Sequence, residues 1–144
     1  MRAIEIEGEG LVLRDLPDPE PGPGELRIDN RATAVNRADL VQRSGNYPPP
    51  PGASPILGLE CAGVVDAVGP DVARFAPGDR VCALLAGGGY ASRVVVPAGQ
   101  ALPVPDGLGF DEAAALPEVL ATAWLNLFGE AGARPGERVL LHAG

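Results

Sequence analysis

The chain has 144 residues, of which 46% are hydrophobic and 21% are charged, and this balance predicts a globular domain with its own core. Its 11 basic and 19 acidic residues give a net charge of −8. An acidic surface repels phosphate backbones, which argues against nucleic-acid binding as a main role. The 20 glycines and 16 prolines fit many short strands joined by turns.

The sequence shows no targeting or membrane segment. The stretch "MRAIEIEGEG" lacks the basic and apolar regions of a signal peptide, and no apolar run approaches the roughly 20 residues of a membrane span. Cys61 and Cys82 lie in apolar runs, where buried free thiols are expected. We therefore expect a cytoplasmic protein without membrane contact.

The first two thirds of the chain predict β-strands. Residues 2–14 alternate well enough for two strands around a Gly turn, and residues 25–35 alternate again. A short helix is expected over residues 37–44, with Gly45 ending it. Further strands are expected at "AGVVDAVG", "DRVCALLA" and "GGYASRVVVP". The triplet at residues 87–89 precedes a strand rather than a helix, so it predicts a turn or a close backbone approach, not a phosphate loop.

The pattern becomes helical at Phe110. Asp111 is the expected N-cap, and Pro117 is expected to open a second helical segment. An apolar stripe follows at helical spacing, made of Leu120, Ala123, Trp124, Leu127 and Phe128. Residues 138–144, "RVLLHAG", predict a buried type of strand, which needs either an earlier strand as partner or a sheet lying outside the chain. We favour the second alternative.

Metal and hydrolase sites are not indicated. The single histidine, His142, comes at the end of the chain, and the cysteines lack ligand spacing, so no metal site is predicted. The sequence contains neither a GxGxxG motif nor a convincing Ser–His–Asp set.

Four segments resemble, in order, the catalytic domain of medium-chain dehydrogenases/reductases: residues 22–65, 76–99, 111–124 and 134–144. The combination "NRADL", "YPPPPGAS" and "ILGLE" carries most of the specificity. Within that superfamily the chain is similar to the zinc-free NADPH:quinone oxidoreductases, of the p53-inducible quinone oxidoreductase type.

The resemblance implies a mainly β fold with short helices. It is a GroES-like, partly open β-barrel over residues 1–122, followed over residues 123–144 by a linking helix and the first strand of a truncated Rossmann cofactor domain. Gly144 then falls at the start of the phosphate loop and is expected to bind the cofactor, NADPH. The full-length protein is expected to be a homodimer, and the chain alone is expected to be inactive.

The resemblance also implies which residues form the site. Zinc-dependent relatives carry cysteine at Asn36 and histidine at Leu59, so both ligands are lost, and the substrate is expected to be a quinone or enone, which is easier to reduce without a Lewis acid. Tyr47 is the expected proton or hydrogen-bond donor, unless its ring only packs on the prolines. Asn36 is expected to face the nicotinamide or substrate, or to cap the short helix.

Two helical residues complete the expected site. Thr122 matches a threonine that contacts the cofactor near its nicotinamide, although its hydroxyl could instead bond to its own turn. Glu118 is a cofactor-binding candidate, or a carboxylate favoured by the helix dipole. Glu60 is expected to orient other groups, and Asp39 to make structural hydrogen bonds. Two other functions remain open, an enoyl-thioester reductase and a non-catalytic binding or structural module.

Overall fold

The computed structural model describes residues 1–8 and 10–142. The helices are α1 (Arg37–Arg43), α2 (Phe110–Ala113) and α3 (Pro117–Trp124), with a 3-10 turn at Ala98–Gln100 and a π-helical turn at Leu125–Glu130. The strands are β1 (Arg2–Glu7), β2 (Gly10–Asp15), β3 (Glu25–Ala32), β4 (Glu60–Val68), β5 (Arg80–Leu84), β6 (Arg93–Pro97) and β7 (Ala101–Pro103). The strands predicted within residues 2–97 and the helix ended by Gly45 are thus confirmed, whereas β7 was not anticipated.

The main sheet is a curled half-barrel of five antiparallel strands. Its order is β6–β3–β4–β5–β7, so β3 and β6 are neighbours although they are far apart in the chain. The hairpin β1–β2 forms a separate two-stranded sheet, joined to the rest by a bridge between Ala3 and Ala91. This mostly-strand architecture confirms the expected partly open barrel.

Apolar residues cover both faces of the main sheet. Leu26 and Ile28, on one side of β3, are fully buried together with Cys61, as the alternation predicted. Cys82 belongs to the opposite core, because it pairs with Ala62 rather than with Cys61. Both cysteines are buried free thiols. Burial raises the pKa of Cys61 to about 12, with smaller contributions from Cys82 and Glu60, and burial also raises the pKa of Cys82.

The glycine triplet lies against the segment that leads into β4. A Cβ on Gly87 would lie 2.5 Å from the carbonyl oxygen of Ser54, and one on Gly58 would lie 2.6 Å from the Cα of Gly89. Three backbone N–H groups of residues 88–90 donate to carbonyl oxygens in residues 56–58. The predicted close backbone approach is confirmed.

Asp111 is not the N-cap of α2. The cap residue is Gly109, and the carboxylate of Glu112 accepts a hydrogen bond from its backbone N–H at 2.8 Å. Asp111 lies within the first turn, where a negative charge is favoured by the helix dipole. Pro117 opens α3, as predicted.

The C-terminal segment exposes its apolar residues. In the stripe, Leu120, Trp124 and Phe128 are all exposed. The expected strand at residues 138–144 does not form over residues 138–142, and Ala143 and Gly144 lie outside the described residues. No described strand pairs with residues 138–142, so their backbone has no ladder to join. None of the helices in residues 1–8 and 10–142 has the length and apolar character needed to cross a membrane.

Candidate active site

A cavity of about 220 Å³ lies between the barrel and α3. Its walls come from the segment after α1, from Leu59, from the end of β5 and from α3. The lining residues are Gln42, Tyr47, Pro49, Pro50, Leu59, Leu84, Leu85, Ala86, Glu118, Ala121 and Thr122. The structure therefore brings together three of the site residues expected from the sequence, Tyr47, Glu118 and Thr122.

Tyr47 lies in the proline-rich loop and is 46% exposed. Within the described part of the chain, no group is hydrogen-bonded to its hydroxyl, which remains available to a bound molecule. Pro49 and Pro50 line the same cavity, and proline restricts the backbone of such a loop. The loop thus holds a phenol at the cavity wall with its donor unused.

The hydroxyl of Thr122 donates to Oε1 of Glu118 at 3.0 Å. The two residues are one helical turn apart, so their side chains lie on the same face of α3. The hydroxyl therefore bonds to a side chain rather than to a backbone carbonyl of its own turn, and both groups stay at the cavity wall.

Glu60 connects the barrel to α3. Its side chain is fully buried; Oε1 accepts from Nδ2 of Asn36 at 2.8 Å and Oε2 accepts from the backbone N–H of Glu118 at 2.9 Å. The second bond satisfies an N–H in the first turn of α3, where a carboxylate is also favoured by the helix dipole. Glu60 thus fixes both Asn36 and the start of the helix that carries Glu118 and Thr122.

Asn36 does not line the cavity. It occupies the N-cap position of α1, but its side chain donates to Glu60 instead of capping the helix. The start of α1 is instead held by Asp39, whose carboxylate accepts a hydrogen bond from the backbone N–H of Asn36 at 2.7 Å. Asn36 is therefore joined to the cavity wall through Glu60 and Glu118.

Asp39 is buried and accepts from three segments. Besides Asn36, its donors are the backbone N–H of Gly58 and the hydroxyl of Tyr90, each at 3.1 Å. The expected structural hydrogen bonds of Asp39 are thus present. Burial, followed by the nearby Asp39 carboxylate, raises the pKa of Tyr90 from its ordinary value of 10.0 to about 12, so the phenol stays a donor in moderately alkaline solution as well as at neutral pH.

Sequence reasoning missed Gln42 and Tyr90. Gln42 is buried; its Nε2 donates to the carbonyl oxygen of Pro55 at 3.2 Å, and its side chain lines the cavity. The helical spacing that places Asp39 inside also places Gln42 near that face, three residues on. Tyr90 carried no such signal, because it lies 51 positions from its partner Asp39 in the chain, too far for any local pattern to show.

Two further expectations concern metal and phosphate. Leu59 lines the cavity, and residues 1–8 and 10–142 hold no group of three or more His, Cys, Asp or Glu side chains that could bind a metal ion. The expectation of zinc-free chemistry stays a prediction. Gly144, expected to bind the cofactor, lies outside the described residues.

Residues 22–106 match the alcohol dehydrogenase GroES-like domain. The chain belongs to this family. The match begins just before β3 and ends just after β7, so it covers the main sheet and the loop that carries Tyr47. The relatives are medium-chain dehydrogenases/reductases, as the sequence resemblance implied.

The relatives and solved structures that the chain resembles include a vesicle membrane protein homologue, a quinone oxidoreductase and an enoyl reductase. The human synaptic vesicle membrane protein VAT-1 homolog-like is 39% identical over 147 residues, which cover 99% of this chain and 35% of that protein. The Escherichia coli quinone oxidoreductase complexed with NADPH is 32% identical with a TM-score of 0.78, over 88% of this chain and 40% of that one. The CurK enoyl reductase is 28% identical with a TM-score of 0.86, over 95% and 45%. The chain therefore spans less than half of the length of each.

Proposed function

We propose that this chain is the catalytic domain of an NADPH-dependent reductase of quinones or other conjugated carbonyls, of the p53-inducible quinone oxidoreductase type. The observation that carries the proposal is a cavity lined by Tyr47, Glu118 and Thr122, in which the Tyr47 hydroxyl makes no hydrogen bond to any of the residues that the structure describes. The similarity to a quinone oxidoreductase solved with NADPH supports it.

The cavity fits one end of a nicotinamide cofactor. Its volume of about 220 Å³ is below the roughly 300–1,000 Å³ of pockets for drug-sized ligands, so it has no room for a whole dinucleotide. No basic side chain is among its lining residues, which suits the uncharged nicotinamide end rather than the phosphates. We propose that the phosphates bind a separate Rossmann domain that begins within residues 123–144, with Gly144 in its phosphate loop.

When bound, NADPH supplies the hydride, and the chain's own residues position the acceptor and handle the proton. Tyr47 donates a hydrogen bond to the carbonyl oxygen of the substrate and delivers a proton as negative charge develops there. Thr122 and the carboxylate of Glu118 would hold the polar edge of the nicotinamide, and Leu59 would limit the access of water, since all three line the cavity. Asn36 and Glu60 keep α3 in place.

The deciding experiment measures NADPH oxidation by the full-length protein, with an ortho-quinone and an enoyl thioester assayed in parallel. We expect turnover of the quinone. Tyr47→Phe should lower kcat about 100-fold, the lower end of the range for general acid–base catalysis. Ser44→Ala is the matched control, because it also removes a hydroxyl near the loop, one that donates to the carbonyl of Val41 outside the cavity.

Other outcomes would overturn the proposal. Turnover of the thioester alone would assign the protein to the enoyl reductases, which share the fold. If neither substrate reacts, the proposed activity is rejected, and the chain has a family and a fold without an assigned activity. Equal rates for the wild type and Tyr47→Phe would remove Tyr47 as the donor and leave water to supply the proton.

A further inference from the structure

We infer that Tyr90 is a positioning residue for the candidate active site and acts through Asp39. Its hydroxyl is one of three donors that hold the buried Asp39 carboxylate, and the other two belong to Asn36 and Gly58. The catalytic consequence of this inference rests on the proposed function, whereas the structural part does not.

The segment around Tyr90 has little freedom to move. Its backbone N–H donates to the carbonyl of Leu57 at 2.8 Å, and its own carbonyl accepts from the N–H of Ile4 at 2.9 Å. The neighbouring Gly89 packs so closely on Gly58 that a Cβ on Gly89 would lie 3.0 Å from the Gly58 backbone. Tyr90 is therefore fixed to the hairpin β1–β2 and to the segment before β4, and it offers Asp39 a donor at a defined place.

Asp39 connects Tyr90 to the cavity through two of its hydrogen bonds. Through Asn36 it fixes the start of α1, and Asn36 in turn bonds to Glu60, which holds α3. Through Gly58 it fixes the backbone next to Leu59, which lines the cavity. A loss of the Tyr90 hydroxyl would leave Asp39 with two donors, and both connections would loosen.

Hydrogen exchange followed by mass spectrometry tests the structural part. In Tyr90→Phe, we expect exchange of residues 36–43 and 54–60 to become about tenfold faster, because a hydrogen bond to a charged group is lost, while β5 keeps its wild-type rate. Ser92→Ala is the control: it removes a hydroxyl from the same segment, one that accepts from the backbone of Arg2. It should leave residues 36–43 unchanged.

Steady-state kinetics of the full-length protein test the catalytic part. For Tyr90→Phe, we expect kcat with the quinone to fall about tenfold while KM for NADPH changes less than about twofold, because the cavity wall is misplaced rather than removed. Asp39→Asn should have a larger effect than Tyr90→Phe, because its amide offers a single acceptor oxygen to three donors.

Two results would overturn the inference. Unchanged exchange over residues 36–43 in Tyr90→Phe would show that the hydroxyl does not hold α1, and faster exchange with unchanged kcat would show that α1 does not position the site. Failure of the wild type to reduce any quinone would reject the proposed function instead, and the exchange comparison would still decide the structural part.

Discussion

The half-barrel and the C-terminal segment, residues 117–142, place equally apolar residues in opposite environments. In the barrel, Leu26 is fully buried, whereas Trp124 of α3 is 68% exposed and Leu140 is 78% exposed. Both regions have regular apolar spacing in the sequence. This difference shows that the periodicity of apolar residues in the sequence predicts which side chains share a face of a helix or strand. Whether that face is buried depends on a second surface that packs against it. The barrel supplies its own second surface, and α3 is covered only at its first turn.

The largest expected effect concerns how tightly the barrel is packed. A Cβ on Gly63 of β4 would lie 2.2 Å from the carbonyl oxygen of Asp29 on β3, a contact that only a backbone shift can relieve. We expect Gly63→Ala to lower the free energy of unfolding by about 4 kcal/mol, or to prevent folding. Urea denaturation measures it. Gly99→Ala, where a Cβ meets nothing within 4 Å, is the control and should change the free energy by less than about 0.5 kcal/mol.

The same truncation in both regions tests the comparison directly. Leu26→Ala removes most of a fully buried side chain and should lower the free energy of unfolding by about 3 kcal/mol. Leu120→Ala changes a residue that is 57% exposed and should lower it by less than about 1 kcal/mol. Thermal unfolding of the two variants provides the measurement. Equal losses would contradict the comparison and mean that another surface covers α3 in solution, which a dependence on protein concentration would reveal.

The connection between the two regions gives an intermediate effect. Glu60→Gln leaves one oxygen to accept from Asn36 and from the N–H of Glu118, so one of these donors faces an amide N–H₂. We expect this substitution to lower the free energy of unfolding by about 2 kcal/mol and to make hydrogen exchange in α3 faster. Glu112→Gln is the control, because it changes an exposed carboxylate that accepts a hydrogen bond from the backbone N–H of Gly109. If it lowers the free energy of unfolding by as much as Glu60→Gln does, burial of Glu60 is not the cause of the loss.

The smallest expected effect is a loss of barrel stability in alkali. The pKa of Cys61 is about 12 in the folded protein and has an ordinary value of 9.0, so the folded state holds the proton more tightly. Its contribution to stability is complete below pH 9 and is lost as the pH rises from about 9 to about 12. At pH 10 we expect a loss of about 1 kcal/mol, which thermal unfolding at pH 7 and pH 10 measures. Cys61→Ala should show a smaller change between the two pH values.

Much of the barrel could be predicted from the sequence because its signals are local. Alternation over β3 depends only on which side of the strand each residue takes, and Gly45 has a φ of 78°, which permits the turn that ends α1. The prediction of Asp111 as the N-cap was wrong. Gly109 and Asp111 are both residue types that cap helices, and the helix begins after Gly109, whose backbone N–H donates to the carboxylate of Glu112. The strand expected at residues 138–144 stays a prediction, because a strand needs a partner, none of the described strands pairs with residues 138–142, and periodicity cannot supply one.

The site was predictable in its residue types and less so in its connections. Tyr47, Glu118 and Thr122 do meet at one cavity, but the assignment came from the resemblance to a family rather than from spacing. The bond between Tyr90 and Asp39 joins segments that the folded sheet brings together, and no short motif marks it. Buried polar contacts of this kind become visible only when the tertiary structure shows which donors reach a carboxylate.

The strand order β6–β3–β4–β5–β7 also has a kinetic consequence. The pair of β3 and the edge strand β6 forms only after most of the barrel sequence has been brought together, and contacts of such separation slow folding. Until then, the three consecutive valines of β6 remain unpaired, and they form the kind of apolar, strand-prone segment that promotes association between chains. Refolding yield should therefore fall as protein concentration rises, even for a chain whose native barrel is well packed.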